Sequence, residues 1–164
     1  MSVPVAQRFP VSNAVIESST TDMPALGSDM NPAITPENRS ISPEFAVAVV
    51  DDDASVRKAL MRLLRASSYT VEMFESASEF LVSLNQRVPD CLIVDLQMPS
   101  MDGLELRISL NRAGMAIPTI IISAHDEPGS RERCCAAGAA AYLLKPIRKR
   151  ELIAAIKAAT KKEL

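Results

Sequence analysis

The stretch Cys91-Leu92-Ile93-Val94-Asp95-Leu96-Gln97-Met98-Pro99, continuing to Met101-Asp102-Gly103, decides the fold. A short apolar run ends in one carboxylate, and a loop punctuated by Pro and Gly follows. This reads as a buried strand that delivers Asp95 to the rim of a sheet. The pattern recurs at two other places. Ala46-Val47-Ala48-Val49-Val50 runs into Asp51-Asp52-Asp53, and Ala141-Tyr142-Leu143-Leu144 runs into Lys145-Pro146. A nucleophilic carboxylate, an acidic pair and a lysine can thus meet at one edge. That set suits a carboxylate that accepts a phosphoryl group with help from a divalent cation.

Outward from these runs the chain alternates strand and helix patterns. Strands are expected at Ala46–Val50, Thr70–Phe74 and residues 90–95, 118–123 and 141–145. Helices are expected over residues 55–66, from the Ser76-x-x-Glu79 capping signature through Leu84, and over residues 104–111, 130–137 and 148–161. Val56, Ala59, Leu60, Leu63 and Leu64 share one face of the first helix. Leu152, Ile153 and Ile156 share the inward face of the last. Strict alternation implies an α/β fold, a doubly wound five-stranded parallel sheet with helices on both faces. Ligands of such folds bind beyond the carboxyl ends of the strands. Asp51, Asp52, Asp95, Ser123 and Lys145 all fall there.

Composition narrows the function. The 164 residues provide one domain with a packed core and some spare length. A net charge of −2 leaves no electrostatic footprint for nucleic acid or an anionic membrane. The three cysteines, Cys91, Cys134 and Cys135, have neither disulfide nor zinc spacing, which fits a reducing cytoplasm. Residues 1–44 hold six of the eleven prolines and many Ser and Thr residues without period, and read as a disordered tail. A translational start at Met23 or Met30 is the alternative reading of part of that tail.

The chemistry of the edge follows from charge. A carboxylate that attacks a phosphoryl group approaches a centre ringed by negative oxygens, so positioning and neutralisation dominate. Magnesium takes hard oxygen ligands and suits the acidic pair with Asp95. Without a cation among them, three such carboxylates repel and raise at least one pKa. Lys145 offers a cation for phosphoryl oxygens, and the Ser123 hydroxyl offers a hydrogen bond.

With these motifs in order, residues 45–162 resemble the receiver domain of two-component response regulators, the CheY-like fold. They look closest to receivers of the nitrogen-fixation type of regulator. The resemblance rests on Val49-Val50-Asp51-Asp52-Asp53, on Asp95-Leu96-Gln97-Met98-Pro99-Ser100-Met101-Asp102-Gly103, and on Ser123-Ala124, Gly138-Ala139 and Lys145-Pro146. It implies that Asp95 takes phosphate from a histidine of a kinase or phosphotransfer protein. It also implies Mg2+ held by Asp52, Asp95 and the backbone carbonyl of Gln97, with Asp51 acting mainly through water. Ser123 and Tyr142 take the places of the switch hydroxyl and switch aromatic. In the family the hydroxyl moves toward the phosphoryl group and the aromatic turns inward, so the resemblance implies a reshaped partner surface on the fourth helix, fifth strand and fifth helix. Gln97 and His125 stand where the family tunes phosphoaspartate lifetime.

The chain stops soon after the last helix, so a stand-alone receiver without direct nucleic-acid or membrane contact is expected. A truncated transcription factor is the alternative. An aspartyl phosphatase would carry a second carboxylate two residues after Asp95, where Gln97 stands. A pseudo-receiver would lack one of Asp51/Asp52, Asp95 or Lys145, and none is missing. His125, the only histidine, sits on no helical bundle and is not expected to donate phosphate. Cys134 and Cys135 read as small half-buried residues. Arg148-Lys149-Arg150 opens a helix, where the dipole disfavours cations, which hints at a surface contact.

Overall fold

The computed structural model describes residues 44–161. The segment read as a disordered tail lies outside the described residues, apart from Glu44. Five strands and five helices alternate: β1 (Ala46–Val50), α1 (Ala54–Arg65), β2 (Thr70–Phe74), α2 (Ala77–Ser83), β3 (Cys91–Asp95), α3 (Gly103–Arg112), β4 (Thr119–Ser123), α4 (Ser130–Ala136), β5 (Ala141–Leu144) and α5 (Lys149–Thr160). The strands form one parallel sheet in the order β2-β1-β3-β4-β5. Among the described residues no helix is long and apolar enough to cross a membrane.

Every residue of β1, β3 and β4 is buried, which is why those segments are continuous apolar runs rather than alternating ones. Successive side chains point to opposite faces. Val47, Val49, Ile93 and Ile120 meet Leu60 and Leu64 of α1 and Leu152 and Ile156 of α5. Ala48, Val50, Leu92, Val94 and Ile121 meet Phe80 of α2, Leu106 and Leu110 of α3 and Cys134 of α4. The chain therefore leaves β1 toward one face of the sheet and β3 toward the other. The cleft that opens between those two exits is the ligand position of such a fold.

The helix starts use the expected chemistry with one displacement. Asp53 caps α1 and accepts from the Ser55 amide at 2.7 Å. Ser76 caps α2 through the Glu79 amide at 3.2 Å, but the Glu79 carboxylate reaches the amide of Glu75 at 2.8 Å instead of closing a box on Ser76. The reciprocal box is at α3, between Asp102 and Glu105.

Several boundaries shift by a residue. Lys145 lies just beyond β5, although its amide still donates to the Ser123 carbonyl at 2.8 Å. Asp90 lies before β3, where its carboxylate accepts the Ala46 amide at 2.7 Å. Only Leu60 and Leu64 of the expected α1 face are buried. Ala59 is exposed, Val56 and Leu63 are half-buried, and all three line a groove of about 570 Å³ toward Ala124, Pro146 and Ile147. Cys134 is fully buried and Cys135 exposed, so neither is half-buried as expected.

One buried cation went unread in the sequence. Arg107 of α3 is only 9 % exposed, and it donates to the Ile117 carbonyl at 3.3 Å. Its guanidinium fills the space beside Gly138, where a Cβ would sit 3.2 Å from a terminal nitrogen. Together with its φ of +85°, this explains a glycine at the α4–β5 turn.

Gly103 is more tightly constrained, because a Cβ there would lie 2.5 Å from the Asp95 carbonyl oxygen. Gly103→Ala must displace the backbone that carries Asp95 and is expected to cost about 1–3 kcal/mol in denaturant unfolding. Gly114→Ala meets nothing within 4 Å, has only a φ of +70° to pay for, and is expected to cost about 1 kcal/mol. A Gly103→Ala variant as stable as the wild type would contradict this close approach.

Candidate functional site

The exits of β1, β3 and β5 bring Asp51, Asp52, Asp95 and Lys145 together. Asp51 is fully buried. Its Oδ1 accepts the Asp53 amide at 2.9 Å and its Oδ2 pairs with Lys145 Nζ at 2.8 Å. The same Nζ lies 3.0 Å from Asp95 Oδ1. A single ammonium thus sits between two carboxylates that would otherwise repel across a water-poor edge. The Lys145–Pro146 peptide bond is cis.

Asp52 is exposed, and one oxygen from each of Asp51, Asp52 and Asp95 lies within 4.8 Å of the others. An all-oxygen donor set with one member open to water fits a hard divalent cation that keeps part of its hydration, as magnesium does. The side chain of Gln97 is engaged with His125 and Glu127.

Burial is the main force on the phosphoacceptor candidate. It raises the Asp95 pKa; hydrogen bonding and charge from Lys145 pull it back, and Asp51 and Asp52 add repulsion, for a net rise. Repulsion among the acids, the expected cause, is the lesser one. Burial works against the Lys145 ammonium, but hydrogen bonds and charge from Asp51 and Asp95 outweigh it and raise its pKa. Backbone hydrogen bonds from Ser55 and Val56 lower that of Asp53, which serves α1 as a cap rather than joining the cluster.

Sequence reading missed Arg57. This α1 side chain donates to the Asp51 carbonyl at 2.6 Å and pairs with Glu75 at 2.9 Å. It ties the acidic turn to the end of β2, where the Asp51 amide also donates to the Phe74 carbonyl at 3.2 Å. The available signal was a cation one helical turn beyond the acidic run, too common to single out.

Ser123 and Tyr142 are both buried, and they converge on one atom. The Ser123 hydroxyl donates to the His125 carbonyl at 2.8 Å, and the Tyr142 hydroxyl donates to that carbonyl at 3.2 Å. In this structure Ser123 is therefore engaged with the β4–α4 loop and not with Asp95. Tyr142 already lies inward, with the Arg131 guanidinium 5.0 Å from its ring centre. The exposed His125 ring and Gln97 side chain meet, His125 Nδ1 and Gln97 Oε1 being 3.0 Å apart. Gln97 Nε2 continues the chain to Glu127 at 3.3 Å.

Comparison with known proteins agrees with this geometry. A family profile for the response regulator receiver domain matches residues 47–157, and the chain belongs to that family. It is similar to response regulator protein TodT of Pseudomonas putida, 41 % identical over 115 residues that cover 70 % of this chain and 51 % of that protein. It also resembles nodulation protein W of Bradyrhizobium diazoefficiens, 37 % identical over 122 residues, 74 % of this chain and 54 % of that one. Among solved structures, the fold superposes on the crystal structure of FixJ-N with a TM-score of 0.68 at 32 % identity, covering 74 % of this chain and 97 % of that one. The chain spans about half the length of the curated relatives it matches. Their output activities are their own, and the stand-alone reading stays an expectation.

A carboxylate whose pKa rises on folding withdraws stability wherever it is ionised. The penalty is absent below the ordinary carboxylate value, grows as pH climbs through it, and is complete above the raised value. Asp95→Asn removes that ionisation. In metal-free buffer the variant is expected to melt a few degrees above the wild type at neutral pH, with the gain shrinking as pH falls to about 4. A lower Tm at neutral pH, or a gain independent of pH, would contradict the buried-carboxylate assignment.

Proposed function

We propose that this receiver accepts a phosphoryl group from a phosphohistidine of a sensor kinase or histidine phosphotransfer protein onto Asp95. The observation that carries the reading is the Lys145 ammonium, 2.8 Å from Asp51 and 3.0 Å from Asp95, beside a third carboxylate open to solvent. Asp95 Oδ2 is the attacking atom, since the 3.0 Å contact with Lys145 is made by Oδ1. As its bond to phosphorus forms, the phosphorus–nitrogen bond of the donor breaks, and the electron pair returns to the imidazole ring. Asp52, Asp95 and the backbone carbonyl of Gln97 would hold magnesium directly, with Asp51 acting through water. Bound there, the ion offsets the negative charge of the incoming phosphoryl oxygens.

Lys145 then exchanges the Asp95 carboxylate for a phosphoryl oxygen and keeps Asp51. The Ser123 hydroxyl turns from the His125 carbonyl to another phosphoryl oxygen. That leaves the His125 carbonyl to Tyr142 alone, so the β4–α4 loop and the surface of α4, β5 and α5 settle into a different balance of states. Phosphate drives this only by binding one state better than the other. The apolar groove beside Lys145, lined by Val56, Ala59, Leu63, Pro146 and Ile147, suits the helix of the phosphodonor. The protein assists its own phosphorylation and dephosphorylation, and a cytoplasmic location goes with such a partner. His125 and Gln97, whose side chains meet at 3.0 Å, stand where the family tunes the lifetime of the acyl phosphate.

Incubation with magnesium and a small-molecule phosphodonor, followed by intact-mass spectrometry, tests the reading. One added phosphoryl group is expected in the wild type, and none in Asp95→Asn or when a chelator removes the metal. An adduct of equal yield in Asp95→Asn would overturn the assignment of Asp95.

A further inference from the structure

The cationic run Arg148-Lys149-Arg150 has no part in the phosphoacceptor site. Arg148 is the N-cap of α5 without a side-chain capping bond, and Lys149 and Arg150 occupy the first turn, where the helix dipole works against them. Glu151, the one acid of that turn, reaches only Arg148, at 3.9 Å between two well-exposed side chains. Among the described residues neither Lys149, Arg150 nor Lys157 pairs with a carboxylate. These three cations line one cleft of about 370 Å³, together with Ser67, Ile153 and Ala154. Exposed Arg62 and Arg65, in the last turn of α1, shortly precede Ser67. No carboxylate lines the cleft, although the whole chain carries a net charge of −2.

We propose that this cleft, along α5 beside Ser67, docks a short acidic segment of a partner protein, with one apolar side chain of that segment seated against Ile153 and Ala154. The proposal stands apart from the phosphoryl chemistry, since it uses none of those residues. Charge complementarity selects the occupant. Unpaired cations around a small apolar floor match carboxylates around a single aliphatic side chain. Single-stranded nucleic acid is the poorer fit, because no aromatic ring lines the cleft to stack on a base, and a chain of net charge −2 has little pull on a duplex. A lipid surface is poorer still, because Ile153 and Ala154 are the only apolar residues lining the cleft, too few for an interfacial apolar face. The β5–α5 connection runs from Lys145 directly into these cations, so the occupant would sit on the helix that the phosphorylation site leads into.

The test uses the full chain and a fluorescein-labelled peptide of alternating Glu pairs and single Leu residues. Saturable binding is expected, with amide-proton shifts concentrated at Ser67 and residues 149–157. The double variant Lys149→Glu, Arg150→Glu is expected to weaken binding by about tenfold or more, equivalent to ~1.4 kcal/mol. Arg112→Glu, at the end of α3, should leave it unchanged. The double variant changes only exposed side chains, and phosphate uptake by it at wild-type level would establish that it is folded. Absence of saturable binding, shifts centred elsewhere, or equal weakening by Arg112→Glu would overturn the proposal. So would binding of a DNA duplex or of phosphatidylglycerol vesicles as tight as that of the peptide.

Discussion

One ammonium between two carboxylates organises this molecule. Lys145 is held by Asp51 at 2.8 Å and by Asp95 at 3.0 Å, at an edge where Asp51 is fully buried. Buried charges of one sign are tolerated only when paired, and removing one partner leaves the others uncompensated. The pairing therefore fixes the relative positions of three strand ends that are far apart in sequence. It also leaves the site electrostatically unfinished. Burial still holds the Asp95 pKa up, and exposed Asp52 has no ion pair among the described residues. A site with surplus negative charge beside a single ammonium fits a hard divalent cation.

The sheet makes that arrangement possible at little local expense. In a parallel sheet all carboxyl ends share an edge, and placing β1 between β2 and β3 sets the acidic turn next to Asp95. The helices that follow the two strands leave toward opposite faces, so the cleft between them is not covered. Small anchors then remove slack. Arg57 holds the Asp51 carbonyl, Gly103 lets α3 begin against the Asp95 carbonyl, and Asp53 spends its carboxylate on capping α1. The His125 carbonyl, shared by Ser123 and Tyr142, links this rigid edge to the β4–α4 loop and to β5.

Much of this was readable in the sequence, for a physical reason. Strands buried on both faces must be apolar runs, and the charged residue that ends each run marks the functional edge. All five strands and five helices, the family and the acidic cluster followed from that pattern. What escaped was set by tertiary neighbours rather than by local period. Arg107 carries no local mark of burial, and it is the space beside Gly138 that buries it. Ala59 and Leu63 fall on an apolar stripe whose outer part lines a groove instead of the core. The Ser123 hydroxyl was read toward phosphate, but without a phosphoryl group its best acceptor is the nearby His125 carbonyl. Glu79 closes on Glu75 because side-chain reach, not residue type, selects which amide it takes.

The most direct measurement is a titration of the wild-type protein with magnesium and then beryllofluoride, a tetrahedral phosphoryl mimic, followed by amide-proton shifts. Magnesium alone should move Asp51, Asp52 and Asp95. The mimic should then move Ser123, His125, Tyr142 and Lys145 together, as the ammonium and the hydroxyl change partners. Perturbations that stop at the acidic pocket, with Ser123 and Tyr142 unmoved, would contradict an edge whose cation and hydroxyl transmit the arrival of phosphate.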